Sequence, residues 1–316
     1  MIKVDLITGF LGAGKTTFIK KYAKYMMDSG YHICILENDY GAVNVDMLLL
    51  QELEGDRCGL EMVSGGCDAD CHRRRFKTKL ISMGMCGYDR VLIEPSGIFD
   101  MDEFFDVLYE EPLDRWYEIG NVIAIVDAKL EENLSEMSDY LLASEVAGAG
   151  MVILSKSQEA TTDDIKKTMA HLNRAMEQVR CNRRFQGEVL DKPWDSLTDE
   201  DWKAVSSCGY VLQSYEKSVL EDEHGYSTLY FMNVRMTVQE LRTRVEELMA
   251  DPDCGNIVRV KGFMMAEDGK WIELNATHQT LTIEPIEKGQ EVMIVIGEGL
   301  VEDKISAFWK KNNEDK

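Results

Sequence analysis

The residues with the most specific chemistry stand near the start of the chain, where Gly9 to Thr16 reads GFLGAGKT and fits the spacing G-x-x-x-x-G-K-[ST]. An apolar run, Val4 to Thr8, precedes it and a helix-like stretch, Lys15 to Asp28, follows, which is the setting the motif requires. Glycines in such a loop let backbone amides curl around a β-phosphate, and the next helix turns its positive end toward it. Gly12, Ala13 and Gly14 would supply those amides, Lys15 would span the β- and γ-phosphates, Thr16 would ligate Mg2+ and Thr17 would touch the α-phosphate. A nucleoside triphosphatase also needs a carboxylate at a neighbouring strand end, to hold the magnesium shell or its water. Glu94 closes the run Val91 to Ile93 and is followed by Pro95, Ser96 and Gly97, which places it beside Thr16. Asp127, after Val122 to Val126, has the same geometry and a weaker claim. Lys15, Thr16 and Glu94 are therefore the expected catalytic residues of a Mg2+-dependent hydrolase.

A second concentration of chemistry follows. Cys67, Asp68, Asp70, Cys71 and His72 put two thiols, two carboxylates and an imidazole within six residues. If this stretch is helical, Cys67 and Cys71 share a face at i, i+4; if it is a loop, Gly65 and Gly66 give the slack to bring both sulfurs to one ion. Two thiolates with a nitrogen or oxygen donor suit zinc or another thiophilic divalent ion. A lone C-x-x-x-C is as readily a pair of buried free thiols, and spacing alone leaves both readings open.

These groups need elements to hold them. Short apolar runs at Val4–Thr8, Ile33–Leu36, Val91–Ile93, Val122–Val126 and Met151–Leu154 alternate with helix-like stretches at Lys15–Asp28, Arg73–Met83, Met101–Tyr109, Glu136–Ala147 and Thr162–Gln178. That alternation predicts an α/β fold, a parallel sheet covered by helices. From Phe185 to His224 the periodicity fades into a polar, acidic stretch that reads as a linker with one short helix. Beyond it, Thr237 with Glu240 has capping-box spacing, and strand-like runs from Thr228 to Ile296 end in a helix near Asp303–Lys310, which predicts a smaller α+β domain. The expected organisation is 1–184, a nucleotide-binding domain; 185–224, the linker; and 225–316, the C-terminal domain.

The 316 residues are long enough for two domains at about 100 to 200 residues each. With 45% apolar and 29% charged residues the chain is globular, and its net charge of −22 argues against nucleic acid or anionic lipid as a partner. No apolar run reaches the roughly 18 residues of a membrane span. Met1 passes straight into the first strand-like run, so a cytoplasmic location is expected.

Taken together, GFLGAGKTT at Gly9–Thr17, ENDYG at Glu37–Gly41 with Asp46, Gly65, Gly66 and Cys67, EPSG at Glu94–Gly97, Ser155 with Lys156, and VRVKGF at Val258–Phe263 resemble the CobW-type GTPases. Those proteins are relatives of the urease and hydrogenase nickel-insertion GTPases, UreG and HypB. The resemblance covers most of the chain. It implies a P-loop GTPase sheet flanked by helices, a C-terminal domain, and a metallochaperone whose cofactors are GTP, Mg2+ and Zn2+, or Co2+ or Ni2+ in place of zinc. The implied partners are nucleotide, a transition-metal ion and a client metalloprotein, with a metal- or nucleotide-dependent homodimer open.

Two departures from the family pattern matter. The family's G-C-x-C-C is replaced by Gly66, Cys67, Asp68, Ala69, Asp70 and Cys71, so Cys67 and Cys71 are the expected ligands, with His72, Asp70 or Glu37 completing the site. The guanine-reading [NTS]-K-x-D is Ser155, Lys156, Ser157 and Gln158; a neutral amide replaces the carboxylate that accepts two hydrogen bonds from guanine, unless Glu159 substitutes. An ATP-preferring ATPase or kinase, or a nucleotide-responsive metal-binding regulator with negligible turnover, is the alternative function. Asp39, Asp46 and Glu94 are the candidates for positioning the attacking water.

Overall fold

In a computed structural model, which describes residues 1–39, 46–65, 69–95, 101–186, 188–216 and 226–310, the apolar runs of the first half form one seven-stranded sheet. In chain order the elements are β1 (Ile2–Thr8), α1 (Lys15–Asp28), β2 (Ile33–Asp39), α2 (Asp46–Leu50), β3 (Cys58–Ser64), α3 (Ala69–Met83), β4 (Arg90–Pro95) and α4 (Met101–Leu108). They continue with β5 (Tyr117–Asp127), α5 (Glu136–Ala147), β6 (Met151–Ser155), α6 (Thr162–Gln178), β7 (Val189–Leu190) and α7 (Asp199–Val205). The strand order is β3-β2-β4-β1-β5-β6-β7 and every pairing is parallel. The chain leaves β1 toward β2 on one side and crosses back from β4 to β5 on the other, so its winding reverses between β1 and β4. Open parallel sheets bind ligands beyond the carboxyl ends of the strands at such a reversal. The glycine loop after β1 and Glu94 near the end of β4 both stand there.

The central strands are buried on both faces, as continuous apolar runs demand. Helix α1 turns Phe18, Ile19, Tyr22, Ala23 and Met26 onto Ile7, Ile33, Ile35, Leu92, Ile123 and Ile125, all in one core cluster. Two strands escape the sequence pattern because both are edges: β3 (CGLEMVS) is half-polar, and β7 is two residues long. The stretch expected to be a linker departs further. Its β7 joins the sheet, and Trp202 of α7 stacks on Tyr22 at 5.6–6.2 Å from the rings of Tyr25 and Tyr22, while Trp194 meets Phe18 edge-on at 5.5 Å. The acidic, capped surface of α7 hid the contribution of Trp202, and Trp194 stands in a short turn before that helix.

The chain divides into two compact units, Met1–Ser218 and Val219–Lys316. The second holds β8 (Tyr226–Met232), α8 (Val238–Ala250), β9 (Asn256–Met265), β10 (Trp271–Ala276), β11 (Leu281–Ile286), β12 (Val292–Glu298) and α9 (Glu302–Trp309). Its antiparallel sheet, ordered β11-β10-β9-β12-β8, packs Val260, Met264, Leu274, Met293 and Val295 with Leu241, Val245 and Leu248 of α8 and Ile305 and Trp309 of α9. Thr237 caps α8 in the expected box with Glu240. Among the described residues no helix is long and apolar enough to cross a membrane.

One buried polar node ties the first unit together. Asp5 of β1 accepts hydrogen bonds from Tyr22 Oη at 2.7 Å, Arg90 at 2.8 Å, and the Asn121 backbone and side chain at 3.0 and 2.9 Å. Removing one partner of a buried ion pair strands the other charge. Arg90→Met is expected to lower the free energy of urea unfolding by about 3–5 kcal/mol, with part regained in the Asp5→Asn, Arg90→Met double variant.

Candidate nucleotide and metal site

The glycine loop is shaped by positions that no other residue fits. Gly9 has φ +141°, and a Cβ there would lie 2.3 Å from the Ile125 carbonyl oxygen; Gly12 and Gly14 have φ +77° and +95°. Gly14 caps α1 without a side-chain hydrogen bond, and no acidic residue stands in the first turn, so the loop faces the positive end of an uncapped helix. Lys15 is buried and donates from Nζ to the Gly9 carbonyl at 2.7 Å, folding its ammonium back across the loop. Ala13 donates its amide to Phe10 O at 3.1 Å, and Thr17, next along α1, is exposed.

Glu94 is buried, and its Oε1 accepts the Thr16 hydroxyl at 3.1 Å. The expected juxtaposition of strand-end acid and loop threonine is therefore present. Glu37 of β2 stands opposite Glu94 in the parallel register and is also buried. Register partners on neighbouring strands share a face, so both carboxyls lie on the α1 side with Thr16. A hydroxyl and a carboxylate are hard oxygen donors, the set Mg2+ takes. Asp46 opens α2, whereas the side chain of Asp39 and residues 96–100 lie outside the described residues.

At the end of β6, buried Ser155 donates to Val126 O at 3.4 Å, and Lys156, with φ +53°, pairs with Asp127 at 2.5 Å. Asp127 also accepts the Lys129 amide at 2.8 Å, so it braces this loop and is not turned to Thr16 as its strand-end position suggested. Gln158 and Glu159 are both exposed, joined by a hydrogen bond at 3.4 Å. Sequence reading missed two neighbours of the loop. Trp194 reaches to 3.5 Å from where a Gly14 Cβ would stand and donates its indole N–H to Leu154 O at 3.0 Å. Glu145 of α5 is buried, its backbone carbonyl accepts the Thr8 hydroxyl at 2.8 Å, and burial pushes its carboxyl up to about 8 against the opposing pull of Lys15. Neither has a motif; the isolated acid inside an otherwise apolar stretch of α5 was the available signal for Glu145.

The thiol segment is only partly described. Cys67, with Gly66 and Asp68, lies outside the described residues, and α3 begins at Ala69. Cys71 is half-buried in the first turn of α3, lining a cleft of about 530 Å³ with Met62, Val63 and Ser64 of β3 and Arg74 and Arg75 of α3. Asp70 is exposed. His72 is buried and does not have the role expected of it: Nδ1 lies 3.0 Å from the Gly65 carbonyl and Nε2 lies 2.8 Å from Asn38 Oδ1. A metal ligand needs a free ring lone pair, and both nitrogens are engaged. Turning the Asn38 amide over would let its Nδ2, which has no partner among the described residues, donate to Nε2, with Nδ1–H donating to Gly65. Because Asn38 follows Glu37, the two side chains face opposite sides of the sheet, and the structure does not bring His72 and Glu37 to one point. Among the described residues no three His, Cys, Asp or Glu side chains stand together as a metal site.

Comparison with known proteins agrees with this geometry. The family described as CobW/HypB/UreG, nucleotide-binding domain, matches residues 3–185, and the cobalamin synthesis protein CobW C-terminal domain matches residues 233–311. The zinc chaperone YjiA of Escherichia coli is 30% identical over 182 residues, 54% of this chain and 55% of that protein. The zinc chaperone YeiR of the same organism is 26% identical over 233 residues, 71% of this chain and 69% of its own length. A zinc chaperone CobW of Pseudomonas aeruginosa is 25% identical over 208 residues, 54% of this chain and 53% of that protein. The matched stretch thus spans about half the length of YjiA and of that CobW.

Thiol reactivity follows the thiolate, and burial pushes Cys34 and Cys208 up to about 12 and Cys58 up to about 11. Alkylation near neutral pH, mapped by mass spectrometry, is expected to modify exposed Cys86 and half-buried Cys71 while leaving Cys34, Cys58 and Cys208 intact until the chain is unfolded.

Proposed function

The chain belongs to the CobW/HypB/UreG family, and we propose that it is a Mg2+-dependent GTPase that binds a transition-metal ion, zinc before cobalt or nickel, and hands it to a client protein. The observation that carries the nucleotide half is the Thr16 hydroxyl on the Glu94 carboxylate at 3.1 Å, with Lys15 folded across the loop on the other side. Thr16 and Glu94 would hold Mg2+, which when bound supplies positive charge to the β- and γ-phosphate oxygens. The loop amides and Lys15 orient the triphosphate and stabilise the charge that develops on it. In this reading Glu94, or Asp39 or Asp46, orients a water in line with the γ-phosphate.

The zinc-chaperone names of the relatives support the metal half. Zinc is cargo in this reading, taken by the thiolates of Cys67 and Cys71, with Glu37 or Asp70 as an oxygen donor. His72 positions the segment that carries Cys67 by holding Gly65, and it does so from Asn38, the residue after Glu37. The end of β2 is then shared by the nucleotide side and the thiol side, the physical requirement for metal and nucleotide to bias one another. Exposed Gln158 keeps an ATP preference as the second reading.

Phosphate release with GTP and with ATP, with and without zinc, tests the proposal. GTP turnover should exceed ATP turnover, respond to zinc, and fall by about 100-fold or more in Lys15→Ala; faster turnover of ATP contradicts the guanine assignment. Elemental analysis of untagged protein should show less zinc in Cys67→Ala and Cys71→Ala than in the natural chain, and equal zinc in all three removes the thiol site.

A further inference from the structure

Strand β3 closes one side of the first sheet, and part of its outer edge is open. The Ile33 amide donates to Arg57 O at 2.9 Å, which sets the alternation of the parallel ladder. Residues 57, 59, 61 and 63 turn their backbone groups to β2, and residues 58, 60, 62 and 64 turn theirs outward. At the amino end the outward groups are met within the chain, because Cys58 exchanges both backbone hydrogen bonds with Gly55, at 3.0 and 3.1 Å. At the other end Ser64 O accepts Arg75 Nη1 at 2.8 Å. Between them, the N–H and C=O groups of Leu60 and Met62 have no partner among the described residues. An open row of such groups is a template for another strand.

The cleft of about 530 Å³ lies along this edge, and α3 forms its other wall with Cys71, Arg74, Arg75, Thr78, Lys79 and Ser82. Their spacing puts all six on one stripe of the helix. The lining carries three cations and no acid, in a chain whose net charge is −22. Lys79 is paired with Glu61 at 2.7 Å. Arg74 and Arg75 instead rest on backbone carbonyls, Asp70 O at 3.2 Å and Ser64 O at 2.8 Å, and face no carboxylate among the described residues. Asp70, the one acid of α3, stands outside the lining. A second β3 paired antiparallel would bring two such cationic stripes side by side, and the one acid of β3 is already held by Lys79. The groove is therefore complementary to an extended segment that carries carboxylates, not to another copy of itself.

We propose that the open half of β3 is a docking edge, which takes an extended acidic segment of a partner protein as an added strand of the sheet. The backbone groups of Leu60 and Met62 supply the hydrogen bonds, and Arg74 and Arg75 supply the choice of sequence. Side chains alternate along a strand, so acids at every second position of the segment all turn toward α3. The positions between them turn to the opposite face, where Met62 is 39% exposed, and suit apolar residues. The docked segment passes Cys71, the thiol at which the proposed function places its cargo. Docking does not rest on that function, because neither a nucleotide nor a metal takes part in the groove.

The test is fluorescence anisotropy of a capped peptide of alternating glutamate and valine with the full chain, free of nucleotide and zinc. The natural chain should bind it. Binding should weaken by about fivefold or more when lysine replaces each glutamate, when proline replaces each valine, and in Arg74→Glu. Met62→Pro removes one outward donor, leaves the ladder to β2 intact and should weaken binding as much. If that variant does not fold, the proline peptide on the natural chain decides the same point. Amide hydrogen exchange of Leu60 and Met62 should slow when the peptide is bound. No binding, equal binding of the lysine or proline peptide, or unchanged exchange at those two amides overturns the proposal. So does sedimentation showing a dimer of the natural chain that Met62→Pro separates, since the edge would then belong to a second copy.

Discussion

Near its carboxyl end strand β2 carries two successive residues that face opposite sides of the sheet. Glu37 lies in register with Glu94, which holds the Thr16 hydroxyl, while Asn38 holds the imidazole of His72 at the start of α3. The pleat fixes this opposition, and neither side chain can shift far without carrying the shared backbone. On the proposed function, a triphosphate pulling on the Thr16 side and a metal pulling on the thiol segment would therefore act on one short piece of chain. Coupling between sites needs such a physical element, one whose arrangement both ligands bias.

Two buried acids of the first unit, Asp5 and Glu145, show how burial serves different ends. Asp5, at the amino-terminal half of β1, gathers donors from Tyr22, Arg90 and Asn121, and its contribution is to the joining of β1, β4, β5 and α1. Glu145 lies in the field of Lys15, and its Oε2 has no hydrogen-bond partner among the described residues. A satisfied buried network fixes one packing, whereas an under-satisfied group stores a response to charge.

Much of this was legible in the sequence because the signals were local. The glycine loop, the helix it opens, Glu94 at a strand end and the Thr237 box each depend on residues a few positions apart, and α1, α5 and α6 begin and end where periodicity placed them. What was hidden depends on partners far along the chain. β3 and β7 are edges whose composition carries no period, and Trp194 and Trp202 became part of the α1 core from a stretch that reads as polar linker. His72 had the right element type for a ligand, but its role was decided by Asn38, 34 residues away. Glu145 acquires meaning only from the fold that sets α5 against Thr8 at the end of β1.

The coupling across β2 is tested most directly by the affinity of the chain for a GTP analogue with and without zinc, in the natural protein and in Asn38→Ala. Zinc should change the affinity of the natural protein by about fivefold or more, the lower range of ordinary coupling free energies, and should leave that of Asn38→Ala nearly unchanged. The same zinc response in both proteins, or none in the natural one, would contradict a link through the end of this strand.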